Sequence, residues 1–370
     1  MERGRARDHG VRIGRFPTGP RNAITDVSGV RVGHATVVRD PGVRTGVTAV
    51  FPTTGLPWEE RVYAGTHVLN GYGEMIGAYQ LNEWGILQTP IVLTSSMFIG
   101  RAYDAAARWI ARHPGTEEGY MPVVSECDDS FLNDVWSWPL AEEDVWAALD
   151  AAAAASPGHE VEEGCVGAGT GMQCFGFKGG IGTASRVIPE DVGGYTVGAL
   201  VLTNHGRRPD LRIDGVPVGR GITDLMPEEP GAVEDPGPPE GSCVCVVATD
   251  APLLPHQVRR LAVRAALGLA RGGSNANDTS GELMLAFSTA QALPRDSADG
   301  TVAVRALLDG RHGPSVFSPL FAATVEAVEE AVVNALFAAT TTVGRDGNTL
   351  HALPIDRTLE LLDRAGRVER

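Results

Sequence analysis

PPEGSCVCVVATDAPL, residues 238–253, changes character abruptly at one Gly-Ser pair. Upstream, residues 226–241 hold five Pro, three Gly and five acids with no Lys or Arg, a composition that neither packs nor pairs well. Downstream, SCVCVVAT is continuously apolar and β-branched, the mark of a strand covered on both faces. A flexible acidic tether is therefore expected to abut a core strand at one peptide bond. Because that strand is among the most core-like in the chain, the tether reads as an insertion within a single domain spanning 1–370 rather than as a boundary.

The 370 residues are 43% apolar, enough for a substantial core. Forty-six acids against thirty-one Lys and Arg give a net charge of -15, which argues against binding nucleic acid or an anionic membrane and favours cations and amines. No window approaches a membrane-spanning apolar run, and no apolar segment follows the basic amino terminus, so a soluble cytoplasmic protein is expected. The cysteines, Cys127, Cys165, Cys174, Cys243 and Cys245, are odd in number and irregularly spaced, without a CxxC pair. They are expected to be reduced core residues, forming neither a disulfide framework nor a zinc site.

Glycine contributes 46 residues, spread between strand-like runs. Strands are predicted at 29–38, 46–51, 90–95, 121–125, 195–203, 242–249 and 283–288. Helices are predicted at 101–112 and 141–155, and at 255–271 with an apolar face at Val258, Leu261, Ala262, Ala265 and Leu269. A last long helix is expected to open with Ser318 as N-cap and Pro319 in its first turn, and to run to about Ala339. Runs of strands separated by paired helices favour sheets layered between helices over a strictly alternating parallel sheet.

Several motifs admit a plain structural account. The glycine-rich stretch 163–186, EGCVGAGTGMQCFGFKGGIGTASR, has Met172 where a third nucleotide-binding glycine would stand, and GxxxxGK[ST] is absent; a hairpin with close strand approach is the better reading. None of the nine histidines lies in HExxH, and no metal site is legible. His205 follows Asn204 at a strand end, where a surface or structural role suffices. GxSxG does not occur. SECDDSFLND, residues 125–134, sets Glu126, Asp128, Asp129 and Asp134 after a strand, and a solvated turn accounts for them on composition alone. Ser280 and Glu282 stand where a strand begins, two apart and hence on one face. A capping or turn role would explain Ser280 equally.

At Gly241-Ser242 a cut would give Ser242 both a hydroxyl and a free α-amine, which titrates near about 7.7 to 8.0. The nucleophile would then carry its own base, as N-terminal threonine nucleophiles do. Gly241 leaves the scissile carbonyl uncrowded.

Over nearly its whole length the sequence closely resembles the DmpA-like family of L-aminopeptidase/D-amino-acid esterases and β-peptidyl aminopeptidases. The resemblance lies in RNAITDVSGVRVGHATV (21–37), NGYGEM (70–75), GTGMQCFGFKGGIGTASR (169–186), GSCVCVVATDAPL (241–253), SGELMLAFST (280–289) and GRDGNTLHALP (344–354). It implies an α+β fold, a four-layer αββα sandwich of the N-terminal-nucleophile type, made as one inactive chain that cuts itself at Gly241-Ser242 into 1–241 and 242–370. It also implies roles: Ser242 as nucleophile, Ser280 and Glu282 as its tuning partners, Asn204 as oxyanion donor and Glu126 as the carboxylate for the substrate ammonium. Two segments depart from the family pattern. Glu126 is followed by Cys127, Asp128 and Asp129 in place of an ETYDG-like run, and TSSMFIG at 94–100 replaces a TNTHSVG-like segment. Both are expected near the substrate pocket.

The sequence thus points to a self-processing serine aminopeptidase or amidase acting on short peptides, amino-acid amides or esters, with no cofactor. The resemblance suggests a homotetramer of processed protomers. Two alternatives stand beside it: an acyltransferase of the ornithine acetyltransferase type, whose nucleophile is a threonine, and a binding protein on the same fold whose altered pocket no longer turns over substrate.

Overall fold

The computed structural model describes residues 2–230, 241–308 and 315–369. Residues 231–240, most of the expected tether, lie outside the described residues. The tether's described beginning is anchored rather than free: Glu228 exchanges backbone hydrogen bonds of 2.9 and 2.8 Å with Thr349, and its carboxylate lies 2.6 Å from His351 Nε2.

The chain opens with the antiparallel hairpin β1 (Arg31–Arg39) and β2 (Val43–Phe51), then β3 (Glu60–Gly71) and the short β4 (Met75–Ile76). After α1 (Ala78–Trp84) and β5 (Ile86–Leu87) come β6 (Ile91–Ser95), α2 (Ile99–Ala111), β7 (Val123–Cys127) and α3 (Glu142–Ala154). The small hairpin β8 (Gln173–Cys174) and β9 (Phe177–Lys178) leads into β10 (Ile181–Val187), β11 (Thr196–Asn204) and the one-turn α4 (Val218–Gly221). Then follow β12 (Gly241–Thr249), α5 (Pro255–Gly272), β13 (Ser280–Pro294) and α6 (Phe317–Ala338). The pair β14 (Thr342–Val343) and β15 (Thr349–Leu350) and the helix α7 (Ile355–Arg364) end the chain.

Among the described residues the larger strands form two sheets, ordered β1-β2-β6-β7-β4 and β10-β11-β12-β13-β3-β5. Their side chains alternate between faces, so β12 feeds two apolar layers at once. Val244 and Val246 meet Val50 and Leu93 of the first sheet in a layer between the sheets. Cys243, Cys245 and Val247 face the other way, onto Leu261 and Ala265 of α5 and Ala331 of α6. The first sheet's outer face, with Phe51, Val92 and Val124, packs on Trp109 of α2 and Leu149 of α3. Three apolar layers make a four-layer αββα sandwich, and double burial explains why SCVCVVAT is apolar without interruption.

Three elements differ from the sequence expectation. The strand β3, ERVYAGTHVLNG, is too glycine-rich and polar to read as core, yet it pairs antiparallel along β13. The strand β10 carries small and polar residues because α6 lies close against it; a Cβ on Gly182 would sit 1.9 Å from the Ala331 carbonyl oxygen. Its Arg186 is fully buried, with Nη2 at 2.5 Å from Glu330 and Nε at 3.4 Å from Glu326. Arg7 joins the same Glu330 at 2.7 Å, so these buried charges are paired, as burial requires. Finally, α6 starts two residues early: Val316 occupies the cap position without a side-chain bond, and Ser318 lies inside the first turn rather than capping it. Among the described residues no helix is long and apolar enough to cross a membrane.

Gly182→Ala forces a methyl group into the backbone of α6. It is expected to cost about 3 kcal/mol, read as a lowered urea midpoint; an unchanged midpoint would contradict the contact.

Candidate active site

The register of β12 with its neighbours assembles the candidate residues at one end of the second sheet. Asn204 at the end of β11 lies directly opposite Ser242. In the parallel pairing with β13, Gly241 aligns with Ser280, Ser242 with Gly281 and Cys243 with Glu282. Paired residues share a face. Asn204 and Ser242 therefore look into the space between the sheets, whereas Ser280 and Glu282 look with Gly241 toward the helical side. A Cβ on Gly241 would stand 3.3 Å from Ser280 Oγ, so Ser280 adjoins the residue before the serine.

Each group is held by bonds that leave a particular valence spare. Ser280 Oγ donates to Glu282 Oε1, leaving the serine oxygen as an acceptor. Glu282 is fully buried, its Oε2 has no partner, and burial raises its pKa against the hydrogen bond from Ser280. Asn204 Oδ1 accepts the Gln173 amide proton at 3.1 Å, which leaves Nδ2 as the donor. Ser242 Oγ is buried without a hydrogen-bond partner among the described residues. Beside it lies the Cys127 thiol, pushed well above its ordinary pKa by burial and directing its proton to the Leu202 carbonyl at 3.6 Å. Asn70 Nδ2 donates to the carbonyls of Asn277 at 2.8 Å, Asp278 at 3.1 Å and Ser280, fastening the turn that delivers β13. The NGYGEM motif contains Asn70, but sequence reasoning gave it no role.

Across the sheets, a cavity of about 560 Å³ is lined by Ser242, Glu126, Ser96, Asp128, Trp136 and Arg345, among others. Glu126 is 5% exposed. Its Oε1 accepts the Glu74 amide proton at 2.8 Å and its Oε2 accepts from Ser96 Oγ. Burial pushes its carboxyl above the ordinary range, the two hydrogen bonds oppose this, and the nearby Asp128 adds to the rise. A solvated turn thus fails as the account of 125–134. Only Asp128 of the first three acids is exposed, bonded by the Ser130 amide at 2.9 Å and its hydroxyl at 2.8 Å. Asp129 is buried and structural: Ser95 Oγ donates to it at 2.7 Å and Asn133 Nδ2 at 3.1 Å. Both segments that depart from the family pattern reach the cavity, through Ser96 and Met97 and through Asp128.

The remaining candidates fall elsewhere. His205 is 1% exposed, stacks edge-on against Phe175 at 5.1 Å, and has its pKa lowered to about 4 by burial. The glycine-rich stretch closes on buried Lys178, whose Nζ donates to the carbonyls of Met172 and Gly179 at 2.8 Å and Gly169 at 3.0 Å. All five cysteines are free, Cys165 being only half-buried. Among the described residues no group of three or more His, Cys, Asp or Glu could hold a metal ion.

Residues 22–350 match the description Peptidase family S58. The chain belongs to peptidase family S58. It is 42% identical to beta-peptidyl aminopeptidase BapA of Sphingosinicella xenopeptidilytica, over 97% of this chain and 90% of that one. A solved beta-aminopeptidase of Burkholderia sp. matches with a TM-score of 0.88 at 43% identity, covering 98% of this chain and 99% of the other. The L-aminopeptidase D-Ala-esterase/amidase of Ochrobactrum anthropi matches at 0.86 and 40% identity, covering 99% of each chain. That protein is described as a prototype for the serine aminopeptidases and a new variant among the Ntn hydrolase fold. Membership of S58 bears out the α+β, N-terminal-nucleophile-like fold and the aminopeptidase class of activity. The acyl-transfer alternative finds no support among these relatives.

Asp129 gives the site a pH dependence of known sign. Burial raises its pKa to about 6 from an ordinary 3.8, so the folded state holds this proton more tightly than the unfolded chain. Its contribution to stability is fully present below about pH 3.8 and is lost as the pH rises through about 6. Relative to Asp129→Asn, the wild type is expected to lose on the order of 3 kcal/mol across that window. Urea denaturation at stepped pH measures this, and parallel stability curves for the two proteins would contradict it.

Proposed function

We propose that the protein is a serine aminopeptidase that activates itself by cutting the Gly241-Ser242 bond and then releases amino-terminal residues from short peptides, amino-acid amides or esters. The observation that carries this reading is the register that brings Asn204, Ser242 and the Ser280-Glu282 pair to one sheet end, where Ser242 lines a cavity that also holds buried Glu126. In the cut, Ser242 Oγ attacks the Gly241 carbonyl carbon. The C–N bond breaks, the hydroxyl proton passes to the departing nitrogen, and an ester joins the two residues. Water hydrolyses the ester, leaving a carboxylate on Gly241 and a free α-amine on Ser242.

In turnover that amine serves as the base. Ser242 Oγ attacks the substrate acyl carbon, its own amine takes the proton and passes it to the leaving amine, and water then releases the acyl group. Ser280 directs its hydroxyl hydrogen to Glu282, so its oxygen can accept a hydrogen bond from the Ser242 amine and orient it. Asn204 Nδ2 is the donor for the oxyanion, a contribution of about 3 kcal/mol to the transition state. Glu126 takes the substrate ammonium, which supplies the counter-charge that its burial otherwise lacks. No cofactor enters this chemistry. The family resemblance further supports processed protomers assembled as a homotetramer.

Intact-mass analysis and amino-terminal sequencing are expected to find fragments 1–241 and 242–370, the smaller beginning Ser-Cys-Val-Cys. Ser242→Ala is expected to remain uncut and inactive; retained peptidase activity would remove Ser242 as nucleophile. An uncut wild type without activity on alanine amide would favour the binding-protein alternative instead.

Glu126→Gln separates binding from processing. The scissile residue carries no ammonium, so this variant is expected to cut itself yet lose about 2 to 5 kcal/mol in kcat/KM on alanine amide. Because Asp128 shares the cavity, the Glu126→Gln/Asp128→Asn double variant guards against substitution by the neighbouring acid. Wild-type kcat/KM in a processed double variant would refute the ammonium site.

A further inference from the structure

Among the described residues that line the cavity there is one cation, and the proposed chemistry leaves it unused. Arg345 lines the same space as Ser242 and Glu126. Its Nε is buried without a hydrogen-bond partner. Among the described residues the only acid within salt-bridge range is its neighbour Asp346, 4.0 Å away and 81% exposed, a separation too long for a hydrogen bond. A guanidinium offers five N–H donors in a planar fork, and here that fork meets no built-in carboxylate.

The backbone beneath Arg345 is nevertheless fixed. The turn closes through the Gly344 amide to Asn348 O and the Asn348 amide to Arg345 O, both 2.9 Å. It docks on the loop that follows Glu126 and Asp128: the Arg345 amide donates to Leu132 O at 2.9 Å, and Asn348 Nδ2 donates to Phe131 O at 2.8 Å. A Cβ on Gly344 would lie 2.1 Å from Leu132 O, so only glycine permits this approach. A rigid base carrying an uncommitted head, 32% exposed at the wall of a small cavity, suits recognition better than structure.

We infer that Arg345 binds the free carboxylate of the substrate, so that the enzyme is matched to short zwitterionic peptides, dipeptides foremost. The inference rests on the aminopeptidase reading above and names its substrate class. The ammonium lies on Glu126, the carboxylate takes the guanidinium fork, and the scissile carbonyl sits between them at Ser242. Each added residue carries the carboxylate about 3.5 Å further out, so the preference declines with peptide length. The overall charge of -15 would by itself repel an anionic end, so a preference for the free carboxylate runs against the global field and needs a local cation.

The test compares Ala-Ala with Ala-Ala amide on the processed protein. The wild type is expected to favour the free carboxylate by about tenfold or more in kcat/KM, chiefly through KM. Arg345→Gln should collapse that ratio to about one, and Arg345→Lys should restore part of it. Fragment masses report whether each variant has folded and cut itself. Should neither variant process, the wild-type ratio and its fall from dipeptide to tripeptide still decide. A wild type that hydrolyses the dipeptide and its amide equally overturns the inference and leaves the aminopeptidase reading intact. Arg345→Gln lowering both substrates by one common factor overturns it as well. A wild type inactive on both and on alanine amide overturns the aminopeptidase reading itself.

Discussion

The parallel ladder between β12 and β13 determines where every candidate group stands. A slip of one residue would exchange the faces of the whole strand, burying Ser242 among helices and turning Cys243 toward the cavity. Such a slip is resisted along the full strand, because both faces of β12 lie in apolar layers with different partners. The parallel pairing also demands a crossover, which α5 supplies while covering the outer face of the same sheet. The packing that stabilises the core is therefore the packing that aligns Asn204, Ser242 and Ser280.

Three buried carboxyls near this ladder are distinguished by what surrounds them. Asp129 spends one oxygen on Ser95 and Asn133 and so belongs to the scaffold. Glu282 fixes the rotamer of Ser280 through one oxygen. Glu126 carries a single hydrogen bond on each oxygen, which leaves acceptor capacity on a carboxylate that lines the cavity. Burial raises the pKa of all three, but only Glu126 lines space that a cation could enter.

Legibility in the sequence followed the range of the forces involved. The strands β2, β6, β11 and β12 were readable because double burial writes an apolar run into the local sequence, and α5 because its one apolar face repeats at helical spacing. The strand β3 was not, since its polar and glycine residues gain their ladder from β13, some two hundred positions later. The small residues of β10 answer to α6, another partner far along the chain. Ser242 stood out through a contrast between adjacent segments. Glu126 did not: its acids look solvated until β7 is buried against β6, and only family resemblance gave it a role. Arg345 sat inside a recognised motif, yet its meaning depends on a turn docked against Leu132.

The order of strands in the second sheet has a consequence for how such an enzyme lasts. Strands β10, β11, β3 and β5 precede Ser242 in the chain, whereas β12 carries it and β13 follows it, and the later pair lies inserted between β11 and β3 of the earlier group. While the chain is whole, this arrangement forms in a unimolecular reaction. Once the Gly241-Ser242 bond is broken, regaining it requires two separate fragments to meet, each with a core that the other completes. The equilibrium then depends on concentration, and durability passes from the free energy of folding to the height of the barrier against unfolding. Maturation would thus exchange a reversible fold for a kinetically held one.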